Sequence, residues 1–261
     1  MGHTFGLEHA GGLYVIPELK ERGTPVDTVV WSEYYDWTCP MGGMVNIAKA
    51  LRVCYNAPHQ WALGWQALRQ ADGSVLTPGA TVVATLPPQH ASPSAGLRVV
   101  PDWAPGALPL YLSYRVRQAQ DGELWEEYTE AVVIYQMDGK FQSAYMEGLD
   151  QGGVWATSGS ARVVPAQEYR YGSWAVPHSG LVVRVLRSGE PGGATVSVCR
   201  PAGPETAASC AAGRDNDCNG MAGVGDTACR RFMKGRWPPR ALPPPPQARL
   251  QAGWLCLPTE G

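Results

Sequence analysis

The sequence is short of charge and has no long block of either sign. Of 261 residues, 21 are Lys or Arg and 23 are Asp or Glu, 17% of the chain with a net charge of −2. That excludes a binder that holds nucleic acid mainly by neutralising phosphates. No apolar run approaches the roughly 20 residues of a membrane-spanning helix; the longest clean stretches are of the Ala131–Tyr135 and Leu181–Val183 kind. There is no G-x-S-x-G nucleophile elbow, phosphate-cradling glycine loop or C-x-x-C redox pair, so three common enzyme chemistries have no anchor. An N-x-[ST] sequon and any repeat at solenoid or propeller spacing are also missing. The opening Met1–Gly6 has neither the basic nor the apolar part of a secretory signal. Nor is it a myristoylation site, since Gly6 stands where Ser or Thr is needed.

What is abundant is turn chemistry. The 31 Gly and 23 Pro make up about a fifth of the chain, against a usual combined share of roughly 12%. Seven cysteines, at 39, 54, 199, 210, 218, 229 and 256, are too many for idle thiols. Five of them fall from Cys199 onward, in Gly/Pro/Asp-rich surroundings that read as disulfide-stapled and extracellular.

The pattern divides the chain into four zones. Residues 1–70 carry helical signals, clearest at Asn56–Trp65, where Asn56 is an N-cap, Pro58 lies in the first turn, and Trp61, Leu63 and Trp65 are apolar anchors. A second helix is expected over Val45–Val53. From 71 to 200 the period becomes two. Leu110, Leu112, Tyr114 and Val116 alternate with Tyr111, Ser113, Arg115 and Arg117, as a half-buried antiparallel strand requires. Thr81–Leu86, Ala131–Met137, Ala161–Val164, Leu181–Leu186 and Ala194–Cys199 read likewise, so a β-sandwich-like domain is expected here. Residues 201–231 are rich in Cys and Asp, and 232–261 hold Pro238-Pro239 and the run Pro243–Pro246, a polyproline II spacer. The fold class is α+β.

The sharpest chemical signal is His3-Thr4-Phe5-Gly6-Leu7-Glu8-His9, which fits H-x-x-G-x-x-H, the second half of the metzincin zinc signature H-E-x-x-H-x-x-G-x-x-H. In that signature Gly lets the backbone leave the helix sharply, so that the last His closes the metal site from the other side. Gly6 is the pivot. Asp36-Trp37-Thr38-Cys39-Pro40-Met41-Gly42-Gly43 is a tight turn presenting Met41, thirty-two positions after His9. A metzincin uses such a Met-turn as a hydrophobic floor beneath its zinc ligands.

His3–His9, then Cys39-Pro40-Met41-Gly42, then Tyr55-Asn56-Ala57-Pro58 leading into Leu63-Gly64-Trp65 resemble the gametolysin (autolysin) family of metzincin zinc metallopeptidases. Tyr111–Arg115 and Ala194–Cys199 resemble the family's β-rich part. The resemblance implies a secreted Zn²⁺-dependent endopeptidase of the kind that cuts proline- and hydroxyproline-rich extracellular-matrix or cell-wall glycoproteins of volvocine green algae. It assigns His3 and His9 to zinc and Met41 to the Met-turn, and makes residues 1–70 the C-terminal part of a metzincin catalytic domain. The first ligand and the general-base Glu fall four and three positions before His3, upstream of Met1. The expectation is therefore a fragment that is inactive as it stands; the alternative is a non-catalytic extracellular-matrix binding module. Cys39 and Cys54 bracket the Met-turn and could pair across 15 residues, which would hold it by roughly 3 kcal/mol of loop-closure entropy.

Asp215-Asn216-Asp217-Cys218-Asn219-Gly220 fits D-x-[DN]-x-[DN]-G. Oxygen ligands from Asp215, Asp217, Asn219 and Asp226, with the Met221 carbonyl, would suit Ca²⁺. No helix is expected on either side, and the enclosed Cys218 and nearby Cys229 resemble disulfide-tied calcium loops of extracellular proteins. The bland reading is an Asx-rich turn without an ion. His59, His90 and His178 are isolated and read as hydrogen-bonded or surface histidines.

Overall fold

The computed structural model describes residues 2–10, 12–15, 29–32, 34, 36–42, 52–137, 155–157, 162–163, 168–170, 180–189 and 192–232. In chain order the strands are β1 (Gly12–Val15), β2 (Val29–Ser32), β3 (Arg69–Ala71), β4 (Thr81–Leu86), β5 (Gly96–Val99), β6 (Leu110–Arg115), β7 (Ala131–Gln136), β8 (Trp155–Thr157), β9 (Arg162–Val163), β10 (Glu168–Arg170), β11 (Val182–Arg187) and β12 (Ala194–Cys199). The α-helices among the described residues are α1 (Ala57–Ala62), between β2 and β3, and α2 (Ala207–Ala212), after β12.

The strands make two sheets. One has the order β2-β1-β8-β7-β6-β5-β3, with β9 also paired to β7; the other runs β10-β11-β12-β4. Pairing is antiparallel except at β1/β8 and β3/β5. At the centre of the first sheet β6 and β7 run in register from Leu110 opposite Gln136 to Arg115 opposite Ala131. In the second sheet β4 and β12 pair over their whole length, Thr81 opposite Cys199 and Leu86 opposite Ala194.

The two faces of β6 and β7 bury against different things. Leu110, Leu112 and Tyr114 of β6, with Val132 and Ile134 of β7, share one apolar core with Ala84 and Leu86 of β4, Val183 and Val185 of β11, and Val196 and Val198 of β12. The opposite face, Tyr111 with Val133 and Tyr135, packs on Leu7, Ala10, Cys39, Met41 and Ala57. Every residue of β6 is therefore buried, which corrects the half-buried strand expected from its alternation. Side-chain period two says that two faces differ, not that one is wet. Here the second face is covered by the N-terminal segments.

Helix α1 begins where expected. The Asn56 side chain accepts from the His59 N–H at 3.0 Å, and Pro58 sits in the first turn where its missing N–H costs nothing. It ends at Gly64, whose φ of +72° an L side chain resists. Of the helix expected over Val45–Val53, all but the last two residues lie outside the described ones, as do the proline run, Cys256 and His178.

Candidate metal centre and its buried support

Residues Gly2–Phe5 make one turn of 3₁₀ helix, closed by the Gly6 N–H donating to the His3 carbonyl at 3.0 Å. Gly6 then takes φ +78° and turns the chain, with open space around a would-be Cβ, so it is needed for its dihedral angle and not for room. The reversal brings the two imidazoles together: His3 Nε2 and His9 Nε2 lie 3.0 Å apart, ring centroids 4.8 Å apart and planes at 71°. His3 Nδ1 is 2.9 Å from the Leu7 carbonyl. A carbonyl only accepts, so Nδ1 carries the proton and Nε2 presents its lone pair. This second hydrogen bond is the device by which metal-binding histidines are oriented. Two nitrogens on one tetrahedral zinc stand roughly 3.3 Å apart given Zn–N bonds near 2.0 Å, so the pair fits two positions of such an ion. Tyr34 tilts over the His9 ring at 4.1 Å, and Phe5 packs edge-on against Trp65 at 5.8 Å.

The turn that holds Met41 is hydrogen-bonded to the segment that follows this pair. Gly42 N–H closes the turn on the Cys39 carbonyl at 3.0 Å. The residue after His9 is then bonded twice: Ala10 N–H donates to the Met41 carbonyl at 2.8 Å, and its carbonyl accepts from Asp36 N–H at 3.0 Å. Gly42 has to be glycine, since a Cβ there would stand 2.0 Å from the Asp36 carbonyl oxygen. Met41 is buried with Leu7, Ala10 and Tyr135 in one apolar cluster.

Below the turn runs a buried polar network that the sequence did not announce. Asp36 accepts from Thr38 N–H at 2.8 Å, from the Thr38 hydroxyl at 2.6 Å and from Asn56 Nδ2 at 2.8 Å. Arg115 donates through Nε to Asp121 Oδ2 at 2.9 Å and through Nη2 to Oδ1 at 2.6 Å, both side chains wholly buried. Its Nη1 donates to the Thr38 carbonyl at 3.0 Å and to the Tyr135 hydroxyl at 3.2 Å. Burial alone would favour a neutral guanidine, but the Asp121 carboxylate outweighs it and holds Arg115 charged well above its usual range. Burial also pushes the Asp36 carboxyl up, against the pull of its Thr38 and Asn56 donors.

The bridge expected between Cys39 and Cys54 is not formed; both are buried thiols. The reason is local. Cys39 Sγ is 3.3 Å from His59 Nδ1 and accepts from Asn56 N–H at 3.5 Å. The Cys54 backbone is held instead by the ion pair, its N–H on Asp121 Oδ1 at 2.8 Å and its carbonyl on Arg115 Nη2 at 3.3 Å. Cys39, His59 and Asn56 together contain the residue types of a thiol-protease triad, yet burial raises the thiol and lowers His59 to about 3. Both stay neutral and out of contact with solvent, so this is packing and not a nucleophile.

The Asp-rich loop is preceded by a helix, contrary to expectation. Six residues, Ala207–Ala212, are too few for a periodic signal, but caps define them: Thr206 and Ser209 form a reciprocal capping box and Gly213 ends the helix at φ +64°. Disulfides join Cys199 to Cys218 and Cys210 to Cys229. The structure gathers four of the expected ligand side chains: Asp215 and Asp217 both accept from Asn219 N–H, at 2.9 and 3.0 Å, and Asn219 Nδ2 reaches Asp217 and Asp226 at 3.1 and 3.3 Å. The Met221 side chain is exposed and its N–H donates to Asn219 Oδ1 at 2.7 Å. Glu205, which sequence reasoning missed, brings a third carboxylate within 4.8 Å of those of Asp215 and Asp217. Glu205 also lies close to Cys210 and Cys229, but their sulfurs are joined to each other and offer no thiolate.

The site thus consists of two imidazoles brought together by the turn at Gly6 and hydrogen-bonded, through Ala10, to a turn that buries Met41. The family model described as gametolysin peptidase M11 matches residues 23–153, half of the chain, and the chain belongs to that family. The matched span takes in the Met-turn and the network from Asp36 to Tyr135. Autolysin of Chlamydomonas reinhardtii is 27% identical over 263 residues, covering 87% of this chain and 38% of that protein. The chain thus spans less than two-fifths of that relative's length. No solved structure matches. No helix among the described residues is long and apolar enough to cross a membrane.

Proposed function

We propose that this chain is the part of a zinc-dependent metalloendopeptidase of the gametolysin type that carries the last two zinc ligands, His3 and His9, and the Met-turn at Met41. The observation that carries the reading is the 3.0 Å approach of the two Nε2 atoms, with His3 oriented through Nδ1 by the Leu7 carbonyl. In this reading residues 1–70 complete a metzincin catalytic domain and residues 71–200 form a β-sandwich-like domain, with β1 and β2 of the first part extending a sheet of the second. The full signature sets its first ligand and general-base Glu before His3, outside the sequence given.

Zinc held by His3 and His9 would supply Lewis-acid polarisation of a scissile carbonyl. The residues of this chain supply the rest. His3 keeps its proton on Nδ1, the backbone just after His9 is held by the Ala10 hydrogen bonds, and Tyr34 stacks at a tilt on the His9 ring. The substrate in this reading is a proline-rich glycoprotein of an extracellular matrix or cell wall, with an extracellular setting that the two disulfides support. Calcium at Asp215, Asp217, Asn219 and Asp226, joined by Glu205, belongs to the same reading, because an all-oxygen set of this kind takes a hard cation.

The test is calorimetric titration of Zn²⁺ into the chain and into His3→Ala and His9→Ala, with Co²⁺ absorption as a second readout. Each substitution removes the high-affinity phase. Binding that survives both would refute the assignment and favour a non-catalytic binding module.

A further inference from the structure

We propose, resting on the zinc reading above, that Asp36 is a positioning residue for His9: its side chain locks the Met-turn, and its backbone holds the residue that follows the ligand. His9 is only half-buried and lies in a segment with no regular structure from Leu7 to Ala10. What fixes it comes from outside. Ala10 is clamped between the Met41 carbonyl at 2.8 Å and the Asp36 N–H at 3.0 Å. That clamp is only as rigid as Asp36 and Met41 themselves, five residues apart on one turn.

Asp36 is the wholly buried hub of that turn. Its Oδ1 takes both donors of Thr38, and its Oδ2 takes Asn56 Nδ2 at 2.8 Å, which ties the turn to the N-cap of α1. The Thr38 hydroxyl meets the Tyr135 hydroxyl at 2.8 Å and the Thr38 carbonyl receives Arg115 at 3.0 Å, so the turn is anchored to β6 and β7 as well. The carbonyl of Asp36 lies so close over Gly42 that no side chain fits there. Its Oδ1 is thus engaged within the turn and its Oδ2 on the N-cap of α1, and its N–H is the link to the ligand segment. The principal apolar core, on the far side of β6 and β7, does not include it. Loss of the Asp36 carboxylate therefore loosens the ligand more than it unfolds the body.

The experiment measures Zn²⁺ affinity and the Co²⁺ spectrum of the full chain for the parent, Asp36→Asn, and the exchanged pair Asp36→Asn with Asn56→Asp, well below each unfolding midpoint. Asp36→Asn sets two amide N–H₂ groups against each other and lowers affinity about tenfold or more, the range for partners that orient metal ligands. The exchanged pair restores donor to acceptor and recovers affinity to within about threefold of the parent. Should Asp36→Asn fail to fold, Thr38→Val removes one donor to the carboxylate and the Tyr135 contact, and lowers affinity by severalfold. Unchanged affinity in whichever of these folds overturns the proposal. Loss of binding in His9→Ala alongside parental affinity in Asp36→Asn would refute only this inference; binding indifferent to His9→Ala would refute the metal reading beneath it.

Discussion

The Ala10 N–H donates to the Met41 carbonyl at 2.8 Å, so the residue after one candidate ligand and the apex of the methionine turn are a single hydrogen bond apart although 31 positions separate them. Two short motifs, each weak alone, are thereby parts of one object. The turn at Met41 and the segment that carries His9 are coupled through the backbone.

Gly6 and Gly42 serve this object for different reasons, and substitution separates them. At Gly6 the cost is conformational, because φ is +78° and nothing lies within 4 Å of an added Cβ. Gly6→Ala should destabilise by about 1 kcal/mol, and Gly6→Asn by less, since Asn tolerates the left-handed region. At Gly42 the cost is steric, with a Cβ 2.0 Å from the Asp36 oxygen, so Gly42→Ala should cost roughly 3 kcal/mol or more. Urea unfolding measures both. Equal losses at the two sites would contradict the assignment.

His59 makes stability depend on pH in a stated direction. Burial lowers it from 6.5 to about 3, so the folded state releases a proton that the unfolded state keeps. Its contribution is fully present above pH 6.5 and is lost as pH falls toward about 3, a total of roughly 5 kcal/mol. Asp36 acts in the opposite sense: its carboxyl is raised by burial, so its contribution is present at low pH and lost as pH rises through its folded value. Comparing urea midpoints of the parent and His59→Gln between pH 7 and 4 isolates the histidine. The parent should lose stability more steeply, and parallel profiles would refute the buried neutral imidazole.

Much of this was legible in the sequence, and the misses share a cause. Thr81–Leu86 and Ala194–Cys199 were read to the residue because turn residues bound an unambiguous alternation. Asn56 was legible as a cap because capping is local. Alternation puts Arg115 on the face opposite Leu112 but does not show that this face is covered, because its partner, Asp121, lies in a following 3₁₀ turn and its cover, the turn at Thr38, arrives from 77 positions away. The spacing of His3 and His9 could be read from the motif, whereas the Asp36 clamp could not. Its link to the ligand segment is a backbone N–H, which every residue but proline possesses. The Cys39–Cys54 bridge failed for a related reason: proximity in sequence around a turn says nothing about which buried acceptor each sulfur will face.

The Asp-rich loop offers the last expectation, and it turns on competition for the same oxygens. Glu205, Asp215 and Asp217 converge within 4.8 Å. Burial, with a contribution from Asp217, raises the Asp215 carboxyl, so the like charges are held together at some cost. Backbone N–H groups of Asn219 and Gly220 offset part of it, at 2.8 to 3.0 Å. A divalent cation would offset more. Calcium added to the chelator-treated chain should therefore raise stability, by about 2.7 kcal/mol at a hundredfold excess over its dissociation constant, and Glu205→Gln and Asp215→Asn should each weaken the response. Magnesium should do less, since it demands a tighter octahedral set. If calcium leaves the unfolding midpoint of the disulfide-intact chain unchanged, the loop is an Asx-rich turn held by its own N–H groups and by the Cys199–Cys218 and Cys210–Cys229 bridges alone.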